Sequence, residues 1–169
     1  TAAMKALLRR DVDCPLANGD SAPQDQFSCK RQGGDGSFLV GRFDLRASHG
    51  LDLGAGLGSV SARLGGQVAA RPLVGPEQYS IGGAETVRGY FESAASGDHA
   101  LLASLEWRTF NLASALGTAW RDATPLLFVD AGRVWTLDPA AGQSPRLSLA
   151  GAGFGLRVAG GEAGAGSAE

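Results

Sequence analysis

Apolar and polar residues alternate with a period of two along five stretches of this chain, which commits it to extended strands with two unlike faces. From Phe38 to Ser48, Leu39, Phe43, Leu45 and Ala47 share one face, and Arg42, Asp44 and Arg46 take the other. A short turn, His49-Gly50-Leu51-Asp52, is predicted to lead into a second strand over about Gly54 to Leu73. There Ala62, Leu64, Val68 and Ala70 alternate with Ser61, Arg63, Gln67 and Arg71. The stretch Leu101 to Arg108 sets Leu101, Ala103, Leu105 and Trp107 against Ser104, Glu106 and Arg108. From Pro125 to Thr136, Leu127, Val129, Ala131 and Trp135 oppose Phe128, Asp130 and Gly132, and Arg133 breaks the apolar face near its end. Finally, Leu147 to Val158 sets Ala150, Ala152, Phe154, Leu156 and Val158 against Gly151, Gly153, Gly155 and Arg157.

Alternation alone leaves two architectures open. A soluble β-sandwich turns its apolar faces inward, a membrane barrel turns them outward, and the pattern along each strand is the same. Two details favour the barrel. The stretches are long beside the ~5–6 residues of an average strand, and Trp107 and Trp135 lie near strand ends, where interfacial aromatic girdles belong. No stretch approaches the roughly 18 apolar residues of a membrane helix, which excludes a helical membrane protein but not a barrel. With 26 glycines in 169 residues and 19% charged residues, the chain is rich in small residues and light in charge. A net charge of −2 supplies no basic patch for nucleic acid. The start, TAAMKALLRR, has neither the apolar core nor the cleavage pattern of a signal peptide, so an internal piece of a longer protein is expected.

The connections fall into long and short classes, as outer-membrane barrels require. Residues 11–37, rich in Asp, Gly, Ser, Gln and Pro, read as a long loop, and residues 137–145 as another. Counting alternate connections places both on the same side as the loop over residues 75–100, with the His49 turn opposite. Residues 109–124 are too long for a short turn, and their apolar residues suggest extensions of the flanking strands. Cys14 and Cys29 lie in the first loop with no His or second Cys pair to complete a zinc site. In an oxidising compartment they are candidates for a loop disulfide, worth on the order of 3 kcal/mol in the loop-entropy model. The other reading is two free thiols.

Catalytic patterns are weak. GAGLGS, Gly54 to Ser59, lies inside a strand pattern and lacks the Lys-Ser/Thr of a phosphate loop. No G-x-S-x-G elbow occurs. His49 and His99 read as solvated loop histidines, and nothing supplies the aromatic cleft that a carboxylate-based glycosidase needs. The chain is therefore expected not to be an enzyme, to use no cofactor or metal, and to take no small-molecule substrate.

Two motifs narrow the choice. IGGAETVRGYF, Ile81 to Phe91, places Arg88 between Val87 and the pair Gly89-Tyr90, and FVDAG, Phe128 to Gly132, places one acid, Asp130, on an otherwise apolar strand. A cation on a loop and an isolated carboxylate on a strand can form a lock if the loop folds back, since a guanidinium suits bidentate carboxylate contact. Gly132 leaves room beside Asp130, and Gly151, Gly153 and Gly155 bare the neighbouring strand for close packing.

Together the motifs resemble the paired VRGY/F and wall-strand signature of the BamA-like outer-membrane barrel superfamily. Over about residues 36 to 158 the chain resembles its two-partner secretion branch, the ShlB/FhaC/HecB-type haemolysin transporters. The resemblance implies an all-β fold, an antiparallel transmembrane β-barrel with an inward-folded lid loop. About five strands of a larger barrel of ~16 are readable here. Residues 1–169 would belong to one C-terminal barrel domain, with 160–169 a truncated end lacking the expected terminal aromatic strand. It further implies Val87, Arg88, Gly89 and Tyr90 as the lid motif and Phe128, Asp130 and Gly132 as its wall partner. Glu106, Gly151, Gly153, Gly155 and Arg157 are the expected lumen-facing support. The implied partners are an unfolded secreted exoprotein and the lipid of a Gram-negative outer membrane. An insertase of the BamA/TamA type, or the barrel of a patatin-like lipase fusion, would use the same fold.

Overall fold

The computed structural model describes residues 11–15, 21–31, 34, 37–52, 57–113 and 120–160. Five strands, β3 (Val40–Asp52), β4 (Leu57–Ala69), β7 (His99–Arg108), β8 (Trp120–Trp135) and β9 (Arg146–Gly160), form one antiparallel sheet in the order β3-β4-β7-β8-β9. Preceding it are a small hairpin, β1 (Asp11–Pro15) and β2 (Ser21–Asp25), and a single helical turn, α1 (Gln26–Lys30). The loop between β4 and β7 contains a 3-10 turn (Gly75–Glu77) and two short paired strands, β5 (Tyr79–Ile81) and β6 (Ala95–Gly97).

The strands reach 16 residues in β8 and 15 in β9, long enough to cross a bilayer core at a tilt, which takes ~9–11 residues. They also run past the expected limits. His49–Asp52 continue β3 in register with Leu57–Val60 instead of forming a turn. The period-two pattern continues through them, and the paired backbone outweighs the turn tendency of a lone Gly50 with nothing packed near it. The connection falls at 53–56, outside the described residues, which also removes part of GAGLGS from view. Likewise 120–124 extend β8, whereas 114–119 lie outside the described residues, as do the start 1–10 and the end 161–169.

Register assigns the faces. Arg46 pairs with Arg63, Arg63 with Ser104, Ser104 with Asp130, and Asp130 with Gly151, so these residues form one row, with Asp44 and Gly65 two residues along on the same face. The other face carries Phe43, Leu45, Leu64, Leu105, Val129, Phe154 and Leu156, all exposed, with Phe154 at 86%. That continuous apolar surface is the reverse of a soluble sandwich, which covers its apolar face. The polar face holds the core instead: Ile81, Val87 and Ala95 of the β4–β7 loop pack on Ala100, Leu102 and Val134. The loop is therefore folded inward onto the sheet.

The ends of the sheet are also unlike. Residues 40, 69, 99, 135 and 146 lie at one end, so the segment before β3, the loop between β4 and β7, and the connection between β8 and β9 all emerge there. The first of these segments is more ordered than a plain loop. A disulfide joins Cys14 in β1 to Cys29 in α1, and Cys14 is buried. On the apolar face, Trp107 pairs with Leu127 while Trp135 lies eight positions further along β8. At ~3.4 Å per residue and a tilt near 40°, the two rings are separated by roughly 20 Å across the membrane direction, close to the ~25 Å apolar band of a barrel. Arg133, on the same face at the loop-bearing end, bonds Ser148 at 2.7 Å and lies beside the Trp135 ring.

Candidate functional site

The tip of the inward loop meets the wall through Arg88. Its Nε and Nη2 donate to the two oxygens of Asp130 at 2.7 and 2.9 Å, and its backbone amide donates to Oδ2 at 3.1 Å. Nη1 donates to Glu106 at 2.6 Å, and the guanidinium stacks on the Phe128 ring, 3.7 Å from its centroid. Asp130 is buried, and its remaining partner is the Ser104 hydroxyl at 2.6 Å. Glu106 is shared with Arg108, at 2.8 Å. The wall thus holds one cation on two carboxylates and an aromatic face.

Local sequence explains the approach. Period two puts Phe128, Asp130 and Gly132 on the inner face of β8, and the register sets Gly153, Gly151 and Leu149 beside them. At Gly151 a β-carbon would lie 2.3 Å from the Arg88 carbonyl oxygen, so only glycine lets the loop backbone come this close. Gly132 faces Val87 and Ile81. Gly153 and Gly155 do not receive the loop: the Phe128 ring lies over the first and the Leu126 side chain over the second. Gly153 therefore acts through Phe128, giving its ring room to lie flat beneath Arg88. At the tip, Gly89 has φ +95, a conformation that disfavours any side chain, and it turns the chain so that the Tyr90 hydroxyl donates to the Ala150 carbonyl at 3.1 Å.

The remaining expected residues separate from this cluster. Arg157 pairs with Thr124, six positions along β8 from Asp130 toward the other end, and is exposed. His49 lies in β3, and His99 accepts a bond from the Ala69 amide at 3.2 Å. Among the described residues no group of three or more His, Cys, Asp or Glu side chains is placed to hold a metal. Sequence reasoning missed Ser104 as a ligand of Asp130, although it lies two residues from Glu106 on the same face. It also missed Arg63, which donates to the Glu85 carbonyl of the loop at 2.7 Å and to Asp44 at 2.6 and 2.8 Å.

Long antiparallel strands, an exposed apolar outer face and a loop folded over the polar inner face define a β-barrel wall carrying a lid. No helix of the described residues is long and apolar enough to cross a membrane, which says nothing against crossing by strands. The family model of haemolysin secretion/activation proteins, ShlB/FhaC/HecB, matches residues 15–158. That span is well over half of the chain, and the chain belongs to this family of two-partner secretion transporters, β-barrel proteins of the outer membrane. No curated protein and no solved structure matches it.

Proposed function

We propose that this chain supplies part of the barrel wall and the lid of a pore that passes an unfolded partner protein across a Gram-negative outer membrane. Residues 1–169 belong to one barrel domain in this reading, with Leu105, Val129, Phe154 and Leu156 toward lipid and the Arg88 face toward the lumen. The lid keeps the pore shut while Arg88 is held by Asp130 and Glu106, and the passing polypeptide requires that contact to be released. No chemical step is involved. The observation that carries the reading is the bidentate Arg88–Asp130 contact made by a loop lying against the lumen face.

The two carboxylates are not equivalent in this mechanism. When Arg88 leaves, Glu106 keeps Arg108, but Asp130 keeps only the Ser104 hydroxyl. An uncompensated buried charge is strongly unfavourable, so Asp130 sets most of the closing force. Uptake of a large antibiotic that an intact outer membrane excludes tests this. Arg88→Ala and Asp130→Asn should leave the pore leaky while the barrel still assembles, and Glu106→Gln should be milder. Uptake no greater than in the wild type for both of the first two variants would contradict the gate.

A further inference from the structure

Among the described residues, the lock leaves one buried acid unexplained. Asp98 sits between β6 and β7, at the point where the lid rejoins the wall, and is fully buried. Its carboxylate accepts from the Leu73 amide at 2.8 Å, the Leu137 amide at 2.6 Å and both terminal nitrogens of Arg31. Arg31 also donates to the carbonyls of Leu73 and Leu137. The Asp98 backbone is held as well: its amide donates to the Trp135 carbonyl at 2.8 Å, and its carbonyl accepts from buried Gln67 at 3.1 Å. Three separate segments thus converge on one carboxylate. They are the entry to the lid, the β8–β9 connection and the disulfide-closed first segment, whose Cys29 lies two residues before Arg31.

The two ends of the lid are held differently. The tip depends mainly on the side chain of Arg88, which is 25% exposed and borders an open cavity of about 530 Å³ lined by Arg46, Arg63, Glu85, Glu106 and Arg108. The carboxylates beneath both ends are buried, but the Arg31 side chain at the foot is less exposed, at 16%, and Asp98 accepts from backbone amides of two separate segments where Asp130 accepts from one. Freeing the foot breaks bonds to three segments at once and leaves a buried carboxylate uncompensated, so the foot is the costlier end to release.

We propose that Asp98 and Arg31 are positioning residues that pin the foot of the lid. The lid then opens by a swing of residues 82–94 about a fixed base, not by withdrawal of the whole loop, and the disulfide-closed first segment braces that base from outside. This inference rests on the gate reading above.

Cysteine labelling of the full-length protein in outer membranes separates the two. Val87→Cys reports the tip and Ala95→Cys the foot, both from buried positions, and the native cysteines are bonded to each other. In an Arg88→Ala background, a membrane-impermeant maleimide should label the tip at least about tenfold faster and leave the foot protected. Arg31→Ala should expose the foot by a similar factor, and Arg31→Lys should restore much of its protection. Retained heat-modifiable migration on gels identifies variants whose barrel is intact. If Arg88→Ala exposes tip and foot together, the lid withdraws as one body and the fixed base is overturned. A foot that stays protected in Arg31→Ala overturns the role of the clasp. If the tip stays protected in Arg88→Ala, the gate reading fails instead, and the Arg31 variants still decide the foot.

Discussion

Arg88 is held by charge, by stacking and by backbone proximity, and these contributions can be separated by substitution. Because Arg88 and Asp130 are in direct contact, their substitutions should not add. A double-mutant cycle of Arg88→Ala and Asp130→Ala, read as urea unfolding in detergent, should give a coupling energy of about 1–3 kcal/mol. Additive effects would mean that the two side chains stabilise the protein independently. Gly151 tests proximity alone: Gly151→Ala keeps every charge but drives a methyl group into the Arg88 carbonyl. It should loosen the tip, seen as faster proteolysis beside Phe91, which is already 92% exposed. Equal cleavage of Gly151→Ala and wild type would show that the close approach carries no weight. At this scale the sequence was informative where motif and pleat coincide. Asp130 and Gly132 could be placed on one face because period two fixes which side chains share it, whereas Arg88, in a loop, was singled out by its motif and the family resemblance. The roles of Ser104 and Gly153 depend on cross-strand register, which no local pattern encodes.

Strand limits and the joints between segments set the element scale. The apolar alternation located all five strands of the sheet, but its ends were blurred. Backbone pairing carried β3 through the expected His49–Asp52 turn and extended β8 back to Trp120. The Asp98 clasp was not legible, since it gathers residues from positions 31, 67, 73 and 137 that only the folded chain brings together. Burial pushes the Asp98 carboxyl up. The Arg31 guanidinium and the Leu73 and Leu137 amides outweigh that and hold it below the ordinary carboxylate range. A carboxyl depressed in the folded state contributes stability that is complete above its unfolded value and lost as pH falls through the folded one. The clasp should therefore be intact at neutral pH and dissolve only below about pH 4. Hydrogen exchange of the Leu73 and Leu137 amides, corrected for intrinsic rate, should show that acid step in the wild type and not in Asp98→Asn. Protection that fades near neutral pH would contradict the assignment.

Across the whole molecule, the two faces of the sheet divide the work between solvent environments. The outer face offers Leu45, Leu105, Val129 and Phe154 to its surroundings, and the inner face carries the ion pairs and the lid. If the outer face meets lipid, Val129→Arg should cost about 2–4 kcal/mol near the bilayer midplane, measured by reversible folding into vesicles. A negligible cost would place Val129 in water. The distinction between sandwich and barrel was beyond periodicity, because both use the same alternation; what decides it is the position of the lid, which covers the polar face and leaves the apolar one bare. In the proposed gate, the lid must leave this face for the partner protein to pass. Val87 lies against Gly132, with its methyl 3.0 Å from where a β-carbon would stand, so Val87→Cys with Gly132→Cys can tie the lid to the wall. Secretion of the partner exoprotein by the full-length protein should stop when this cross-link forms and resume on reduction, while Val87→Cys or Gly132→Cys alone continues to secrete under both conditions. Export at the wild-type rate with the cross-link fully formed would contradict the gate.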